Sequence, residues 1–517
     1  MQYTDEQQAI IDCAAAGRPL RAIAYAGTVK TTTLRGVAEA LAGQGKRVLY
    51  LAFNRATAKE AETKFQRTAE ARTAHSLAFS GERRWIQGRE LVGSTWRMRP
   101  WIDRLVDLDA AVDVSGKSRE VAVSAVLATL GRFLNSDDDQ VSPRHVPGIL
   151  LASLTNEALD DAGLATWRSD WARALADAAQ EAWDLINARP GLAITHDCYL
   201  KRFQLSRPTL AYDAILFDEA QDASPVMSAL VAGQTAAQVI PVGDPYQQIY
   251  SWRGAINALD RFEGPALPLS QSWRFGPEVA AWANRILVGG FGADPPLTGL
   301  GPPGRVFAPG DLAEPPRPPY AVLCRGNAGV VQQVLEHLDG RLRVAVVGGT
   351  DEVVRLLAAA YDLYQGNETQ HPDLQAFENW SQLVEASTTE LGATYQPIVR
   401  LITEYRSTVP QLCARLQREV VPEDAAYVVI STAHKAKGRE WPWVVLHSDF
   451  RAFAGEPEDN PGHYWALPEE ARLQYVAITR ATHVLDLSAC TDLPASVAAL
   501  SAWRRQEAET VALETAQ

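Results

Sequence analysis

Cysteine is scarce in this sequence. Five residues, Cys13, Cys198, Cys324, Cys413 and Cys490, are spread over 517 positions with no CxxC pair. Neither a zinc clip nor an iron–sulfur cluster therefore has a ligand set, and the simplest state is reduced structural thiols. No apolar run approaches the roughly 18 residues that a spanning helix requires. The opening MQYTDEQQAI has neither the basic nor the apolar region of a secretory signal. Together these absences predict a soluble cytoplasmic protein with no membrane partner. Basic charge is short as well: 49 Lys plus Arg against 62 Asp plus Glu leave a net charge of −13. That balance disfavours gripping nucleic acid by bulk charge. It leaves room for a narrow groove with local Arg, Lys and aromatic side chains. No repeat at a fixed period is visible, and no low-complexity tract beyond one Pro/Gly stretch.

What is present is a globular composition, 47% hydrophobic and 21% charged, in a chain long enough for about three or four domains. From Arg21 the text alternates apolar runs with helical stretches: RAIAYAG, TTLRGVAEALAGQ, RVLYLAF, ATAKEAETKF. Such a strand–helix–strand rhythm predicts an α/β fold with a parallel sheet and a mononucleotide-binding core. The rhythm breaks at about residue 80, and up to about 195 the chain is rich in Trp, Ala and Leu at helical spacing, which predicts a helical insertion. Strands return at YDAILFDEAQD and AAQVIPVGDP. Residues 291–320 are dense in Gly and Pro and predict a long loop or hinge. A second α/β block follows, interrupted by helices over about 357–425, and the last residues predict a polar helical tail or a frayed end.

Between the first strand and its helix lies Ala24-Tyr25-Ala26-Gly27-Thr28-Val29-Lys30-Thr31, where a phosphate-cradling loop belongs. That chemistry needs free backbone N–H groups, a lysine for the β- and γ-phosphates (Lys30) and a hydroxyl for Mg²⁺ (Thr31). Glycine is usual before the lysine, because the backbone approaches the phosphate closely at φ values a side chain disfavours; here the residue is Val29. Taken alone, the motif is also what a chance strand–turn–helix looks like. Asp218-Glu219-Ala220-Gln221-Asp222 follows the strand AILF, placing carboxylates at a strand's C-terminal end, where a nucleotide site is expected. One carboxylate can hold Mg²⁺ through water and the next can orient the attacking water; a plain acidic turn is the other reading.

The segment from Gly243 to Ala255, GDPYQQIYSWRGA, is long and peculiar. Together with DEAQD it resembles a motif of superfamily 1 DNA helicases of the UvrD/Rep/PcrA kind. Further matches fall in that family's order: Thr4-Asp5-Glu6-Gln7, Phe53-Asn54-Arg55-Ala56, Thr73-Ala74-His75-Ser76, Gln271-Ser272-Trp273-Arg274-Phe275, Cys324-Arg325-Gly326-Asn327, the run from Thr432 to Glu440, and the run from Glu470 to Ala481. TAHSLAF and THDCYLKRFQLS look like the F-box-type DNA helicase branch. The resemblance implies two RecA-like P-loop NTPase core domains with helical insertions. Residues 1–80 and 196–265 would form domain 1A, 81–195 insertion 1B, 266–356 and 426–500 domain 2A, 357–425 a reduced 2B, and 501–517 a polar tail.

It also implies roles, residue by residue. Gln7 would read the adenine edge and Trp273 would stack on the base, with Gly27, Thr28, Val29, Lys30, Thr31 and Thr32 around the phosphates and Glu440 near the ribose. Thr31 and Asp218 would hold Mg²⁺, Glu219 would be the catalytic base, and Gln247 would sense the γ-phosphate or position water. Arg274 and Arg480 match the family's two γ-phosphate arginines, set on either side of an inter-domain cleft, so that ATP hydrolysis there is coupled to unwinding. Trp252 would stack on a base of single-stranded DNA, with a core tryptophan as the plainer reading. Phe53, Asn54, Arg55, His75, Tyr250, Arg253 and His434 fall in motifs that line the strand path.

The function so implied is an ATP-driven helicase and translocase on single-stranded or partly duplex DNA, moving 3′ to 5′, with ATP and Mg²⁺ as cofactors. Val29 qualifies it. A badly placed non-Gly residue costs about 1–3 kcal/mol, so ATP binding should weaken about 5- to 150-fold and hydrolysis is more exposed still. A disabled variant, an adapted loop and a chain that binds DNA without cycling all fit. The competing function is accordingly a hydrolysis-deficient DNA-binding scaffold of the same fold, serving a repair or phage-defence partner.

Overall fold

The structure is a computed structural model and describes residues 2–152, 159–251, 254–369, 371, 374, 377, 379–387, 395–450, 452–457 and 461–515. The chain divides into two compact units: residues 1–23, 31–243 and 250–267 in the first, and residues 24–30, 244–249 and 268–517 in the second.

Strands Arg21–Ala24 (β1), Val48–Ala52 (β2), Glu70–Thr73 (β3), Ala214–Phe217 (β4), Gln238–Gly243 (β5) and Ala266–Leu269 (β6) make a six-stranded sheet in the order β3-β2-β4-β5-β1-β6. Leu49 lies opposite Ile215, Leu216 opposite Ile240 and Ala22 opposite Val242, all in parallel register. VLYLA and AILF are buried at every position, as strands covered on both faces must be. Parallel strands deliver the segments that follow them to one edge. Phe53 to Arg55 follow β2, His75 follows β3, Asp218 and Glu219 follow β4, and Asp244 follows β5.

Among its described residues the region over 81–195 is mainly helical, with a core of its own. The helices Arg119–Asn135 and Asp161–Ala188 bring together Val123, Leu127, Leu130, Phe133, Trp171, Leu175 and Trp183. The second helix, 28 residues long, starts from Asp160, whose carboxylate accepts from Gly163 N–H at 2.8 Å. A ladder two residues long, Leu91–Val92 with Ile194–Thr195, closes the base of the region.

In the second unit, Arg305–Phe307 (β7), Tyr320–Cys324 (β8), Val344–Val346 (β9), Val428–Thr432 (β10), Trp441–Leu446 (β11) and Ala481–Asp486 (β12) form another parallel six-stranded sheet, ordered β7-β12-β11-β8-β10-β9. Two such sheets are the α/β class predicted, consistent with two RecA-like domains. Strand β7 corrects the expectation of a plain loop over 291–320: Arg305, Val306 and Phe307 pair with Val484, Leu485 and Asp486 at the sheet's edge. A three-residue edge strand between prolines has too little alternation to stand out. The helices over 357–425 begin at Asp351, and their Leu357, Leu363, Leu383, Ile402, Leu412 and Leu416 share one core with Val322, Val344, Val428 and Ile430. Among the described residues this stretch covers a face of the sheet and has no core to itself.

The C-terminal residues, expected as a polar tail or a frayed end, belong to the helix Leu493–Thr515. It is docked rather than frayed as far as Gln506. Leu500 is fully buried beside Gly290, where a Cβ would approach its Cδ2 to 2.8 Å. Gln506 donates to Gly462 O at 3.0 Å and accepts from Tyr464 N–H at 3.2 Å.

All five cysteines are free, four of them buried. Burial pushes the thiols of Cys198 and Cys490 up to about 11 and about 12, so neither is a nucleophile at neutral pH. Among the described residues no helix is long and apolar enough to cross a membrane.

If the last helix is structural, Leu500→Ala should cost about 2–5 kcal/mol of unfolding free energy, read from urea denaturation of the full chain. A change under about 0.5 kcal/mol, ordinary for a surface position, would mean the helix is an appendage.

Candidate nucleotide site and nucleic-acid face

The phosphate-loop segment 24–30 lies in the second unit. Ala26 N–H donates to Tyr475 Oη at 3.1 Å, and Trp273 N–H donates to Gly27 O at 3.0 Å. Gly27 sits at φ +76°, with Ser272 and Arg274 so close that a Cβ would collide with both side chains; only glycine fits. Thr28 is buried, and its hydroxyl (2.7 Å) and N–H (3.3 Å) both donate to Tyr25 O. Its side chain thus shapes the loop from within. Val29 adopts φ +50° and is 40% exposed. The left-handed backbone that glycine normally supplies is present, and a β-branched side chain bears its strain. Lys30 opens the helix Lys30–Gly43, followed by half-buried Thr31 and Thr32.

Also in the second unit, Asp244 is completely buried. Its Oδ1 accepts from Tyr246 N–H at 3.0 Å, and its Oδ2 accepts from Gln247 Nε2 at 2.6 Å and from Tyr475 Oη at 3.1 Å. Burial raises its carboxyl to about 6, against the pull of those hydrogen bonds and of the Lys30 charge. The Gln247 carbonyl accepts from Lys437 Nζ at 2.6 Å, and its side-chain oxygen accepts from Arg480 Nη2 at 3.3 Å. Arg480 is almost fully buried and also donates to Val476 O at 2.9 Å and Arg439 O at 3.3 Å. Arg274 pairs with Glu440 at 2.7 Å and donates to Thr479 O at 3.1 Å, beside Trp273, which is 50% exposed. The structure therefore brings Gly27, Gln247, Arg274, Glu440 and Arg480 into one network with the phosphate-loop segment, and it corrects the expectation of one arginine on each side of a cleft: both lie in the second unit, because the segments that carry them meet at Thr479. An exposed indole next to it is available for stacking.

In the first unit, Asp218 is buried. Its Oδ2 accepts from Tyr50 Oη and its Oδ1 from Glu219 N–H at 3.0 Å. Burial and the Asp218 charge hold the Tyr50 hydroxyl protonated far above its usual range, so it acts as a permanent donor. Glu219 lies in the left-handed region, φ +52°, ψ +40°, the kind of strained backbone that collects at functional sites. Gln221 Nε2 donates to Glu219 Oε2 at 2.6 Å and to Asp222 Oδ2 at 3.0 Å. Gln7 is buried, and its Oε1 accepts from Thr4 N–H at 3.0 Å in a capping box, so that oxygen already serves the helix Asp5–Ala15.

The expected strand-path residues in the first unit fall into two groups. Phe53 lies flat against Tyr250, ring centroids 6.3 Å apart and planes 11° apart, and is partly exposed. Asn54 caps the helix Arg55–Phe65, its Oδ1 accepting from Thr57 N–H at 2.9 Å, while Arg55 is exposed. His75 Nε2 meets Asp197 Oδ1 at 3.1 Å and stands edge-on to Tyr199. Phe79, one helical turn on and 41% exposed, packs edge-on against the same ring. His434 is half-buried in the second unit. Trp252 and Arg253 lie outside the described residues.

Sequence reasoning missed Tyr50, Phe79, Tyr199, Lys437 and Tyr475. For Tyr50 and Tyr475 a signal existed: a Tyr in or beside an apolar run such as VLYLA or YVAI buries a hydroxyl that must find a partner.

The position of Val29 predicts that Val29→Gly tightens binding of a fluorescent ATP analogue by about 5- to 150-fold, the equivalent of about 1–3 kcal/mol of relieved strain. Equal dissociation constants in a fluorescence titration would mean the loop accommodates valine without cost.

Comparison with known proteins adds sequence kinship. The AAA domain family matches residues 7–253, and the UvrD-like helicase C-terminal domain family matches residues 351–492. Over 531 residues the chain is 29% identical to F-box DNA helicase 1 of Gallus gallus, covering 94% of this chain and 49% of that protein. Over 530 residues it is 29% identical to F-box DNA helicase protein 1 of Schizosaccharomyces pombe, covering 94% of this chain and 57% of that protein. The chain thus spans about half the length of the curated relatives it matches.

Proposed function

Because the chain belongs to the UvrD-like superfamily 1 helicases, we propose that it is an ATP-dependent translocase and helicase on single-stranded or partly duplex DNA, moving 3′ to 5′, with turnover slowed by Val29. The observation that carries this reading is the buried chain of hydrogen bonds in the second unit from Ala26 through Tyr475, Asp244 and Gln247 to Arg480. It links a phosphate-loop segment to an arginine suited to sensing a γ-phosphate.

The roles follow from chemistry. Lys30 and the N–H groups at the start of its helix attract phosphate. Thr31 would offer a hydroxyl and Asp218 a carboxylate to Mg²⁺. When bound, the metal neutralises charge on the phosphates. Glu219, held by Gln221, accepts the proton of the attacking water, which Gln247 orients. Arg274 and Arg480 spread charge off the transferring phosphoryl group. Gln7, Trp273 and Glu440 face the adenosine. On the nucleic-acid side, the Phe53–Tyr250 pair and Trp252 supply stacking surfaces, each worth about 1–3 kcal/mol per base regardless of sequence, with Asn54, Arg55, His75, Arg253 and His434 along the strand. Binding of this local kind suits a chain with net charge −13. The five free cysteines suit a reducing compartment such as the cytoplasm.

The strained backbone at Val29 favours a second reading, a DNA-binding scaffold with little hydrolysis that acts with a repair or phage-defence partner. Strand displacement separates the two. With ATP and Mg²⁺, a duplex carrying a 3′ single-stranded tail should be unwound and one with a 5′ tail should not. Glu219→Gln should unwind neither while binding both as tightly as the parent. Unwinding of the 5′-tailed duplex would overturn the polarity, and unwinding by Glu219→Gln would overturn the role of Glu219. Tight binding without unwinding by the parent would favour the scaffold.

A further inference from the structure

We propose that Tyr475 is a positioning residue for hydrolysis: its hydroxyl ties the phosphate loop at Ala26 to the Asp244–Gln247 turn, and through Gln247 it sets the place of the Arg480 guanidinium. The inference rests on the reading of this network as an ATP site and deepens it.

Tyr475 lies in the helix Pro468–Ile478, where Leu473 to Ile478 are all buried. A hydroxyl placed so deep is costly unless it is bonded. Here it is bonded twice, and the direction of each bond is forced. The Ala26 N–H can only donate, so Tyr475 Oη accepts there at 3.1 Å. The phenolic proton is left for Asp244 Oδ2, also at 3.1 Å. Burial and the Asp244 charge keep that proton on the tyrosine, raising its hydroxyl well above the ordinary range. The same Asp244 oxygen receives Gln247 Nε2 at 2.6 Å, which turns the Gln247 oxygen toward Arg480 Nη2 at 3.3 Å. One hydroxyl thus fixes the two segments that carry the proposed phosphate-facing groups.

Among the groups that face Asp244 are Tyr475, the Gln247 amide, the Tyr246 N–H and the Lys30 ammonium. Removing the phenol takes away one donor to the carboxylate. The protonated form of Asp244 then gains, and its titration moves upward from about 6. A protonated Asp244 holds Gln247 less firmly, so activity that depends on Gln247 and Arg480 should be lost on the acid side at a higher pH than in the parent.

Tyr475→Phe keeps the ring and deletes the hydroxyl. It is to be made in the full chain, both with Val29 and with Val29→Gly, and read by binding of ADP and of a non-hydrolysable ATP analogue, by binding of single-stranded DNA, and by DNA-stimulated hydrolysis against pH. We expect unchanged DNA affinity and ADP affinity within about threefold. The preference for the ATP analogue over ADP should fall about tenfold, and hydrolysis should fall about 10- to 100-fold, as for a misplacement of about 1 Å. The acid limb of hydrolysis should move to higher pH. A role confined to packing predicts equal losses for ADP and the ATP analogue and an unmoved acid limb, and that result would overturn the inference. Should Tyr475→Phe fail to fold, Asp244→Asn tests the other end of the same bond. It retains the volume and removes the titrating group, so the acid limb should disappear; a retained limb would overturn the inference. If the parent and Val29→Gly both bind neither nucleotide, the ATP-site reading fails and this inference with it. Nucleotide binding and turnover indifferent to Tyr475→Phe would overturn this inference alone.

Discussion

A carboxylate buried at the end of a parallel strand must be held by donors or it will not remain charged. Two such carboxylates organise this protein. Asp218 follows β4 in the first unit and is held by the Tyr50 hydroxyl and the Glu219 N–H. Asp244 follows β5 and, within the second unit, is held by Tyr475, Gln247 and the Tyr246 N–H. In both cases a tyrosine reaches the acid from a run that is otherwise apolar. The arrangement costs solvation, and burial pushes the Asp244 carboxyl up even against the donors that hold it. What it secures is orientation, since each carboxylate has fixed partners and passes that order on to Glu219, Gln247 and Arg480.

Backbone strain appears at two further positions of the proposed machinery. Glu219 and Val29 both occupy the left-handed region without being glycine. At Glu219 the strain comes with compensation, because Gln221 holds its side chain and Asp218 accepts its N–H. At Val29 the side chain is 40% exposed and has no polar group with which to hold the turn. The difference separates strain that serves the proposed chemistry from strain that works against it.

Much of the fold was legible because parallel strands buried on both faces read as unbroken apolar runs. VLYLA, AILF and VVIST could hardly be anything else. Strand β7 was illegible because three residues between prolines carry no period, and the docking of the last helix because its partners are Gly290 and a distant loop around Gly462. In the candidate site, residue types pointed to segments, but only backbone geometry gives Asn54 its place as a helix cap and turns the Thr28 hydroxyl inward. The bond from Tyr475 to Ala26 spans 449 positions, a separation that no local pattern encodes. Trp252 and Arg253, the most distinctive part of the GDPYQQIYSWRGA run, lie outside the described residues.

The central proposal is that this chain hydrolyses ATP, with turnover slowed by one side chain in its phosphate-loop segment. Steady-state ATP hydrolysis, with and without single-stranded DNA, on this chain and on Val29→Gly side by side, tests it most directly. The account predicts DNA-stimulated turnover in both, faster in the glycine form by about 10- to 100-fold. Turnover that glycine does not raise, or that DNA stimulates in neither protein, would contradict it.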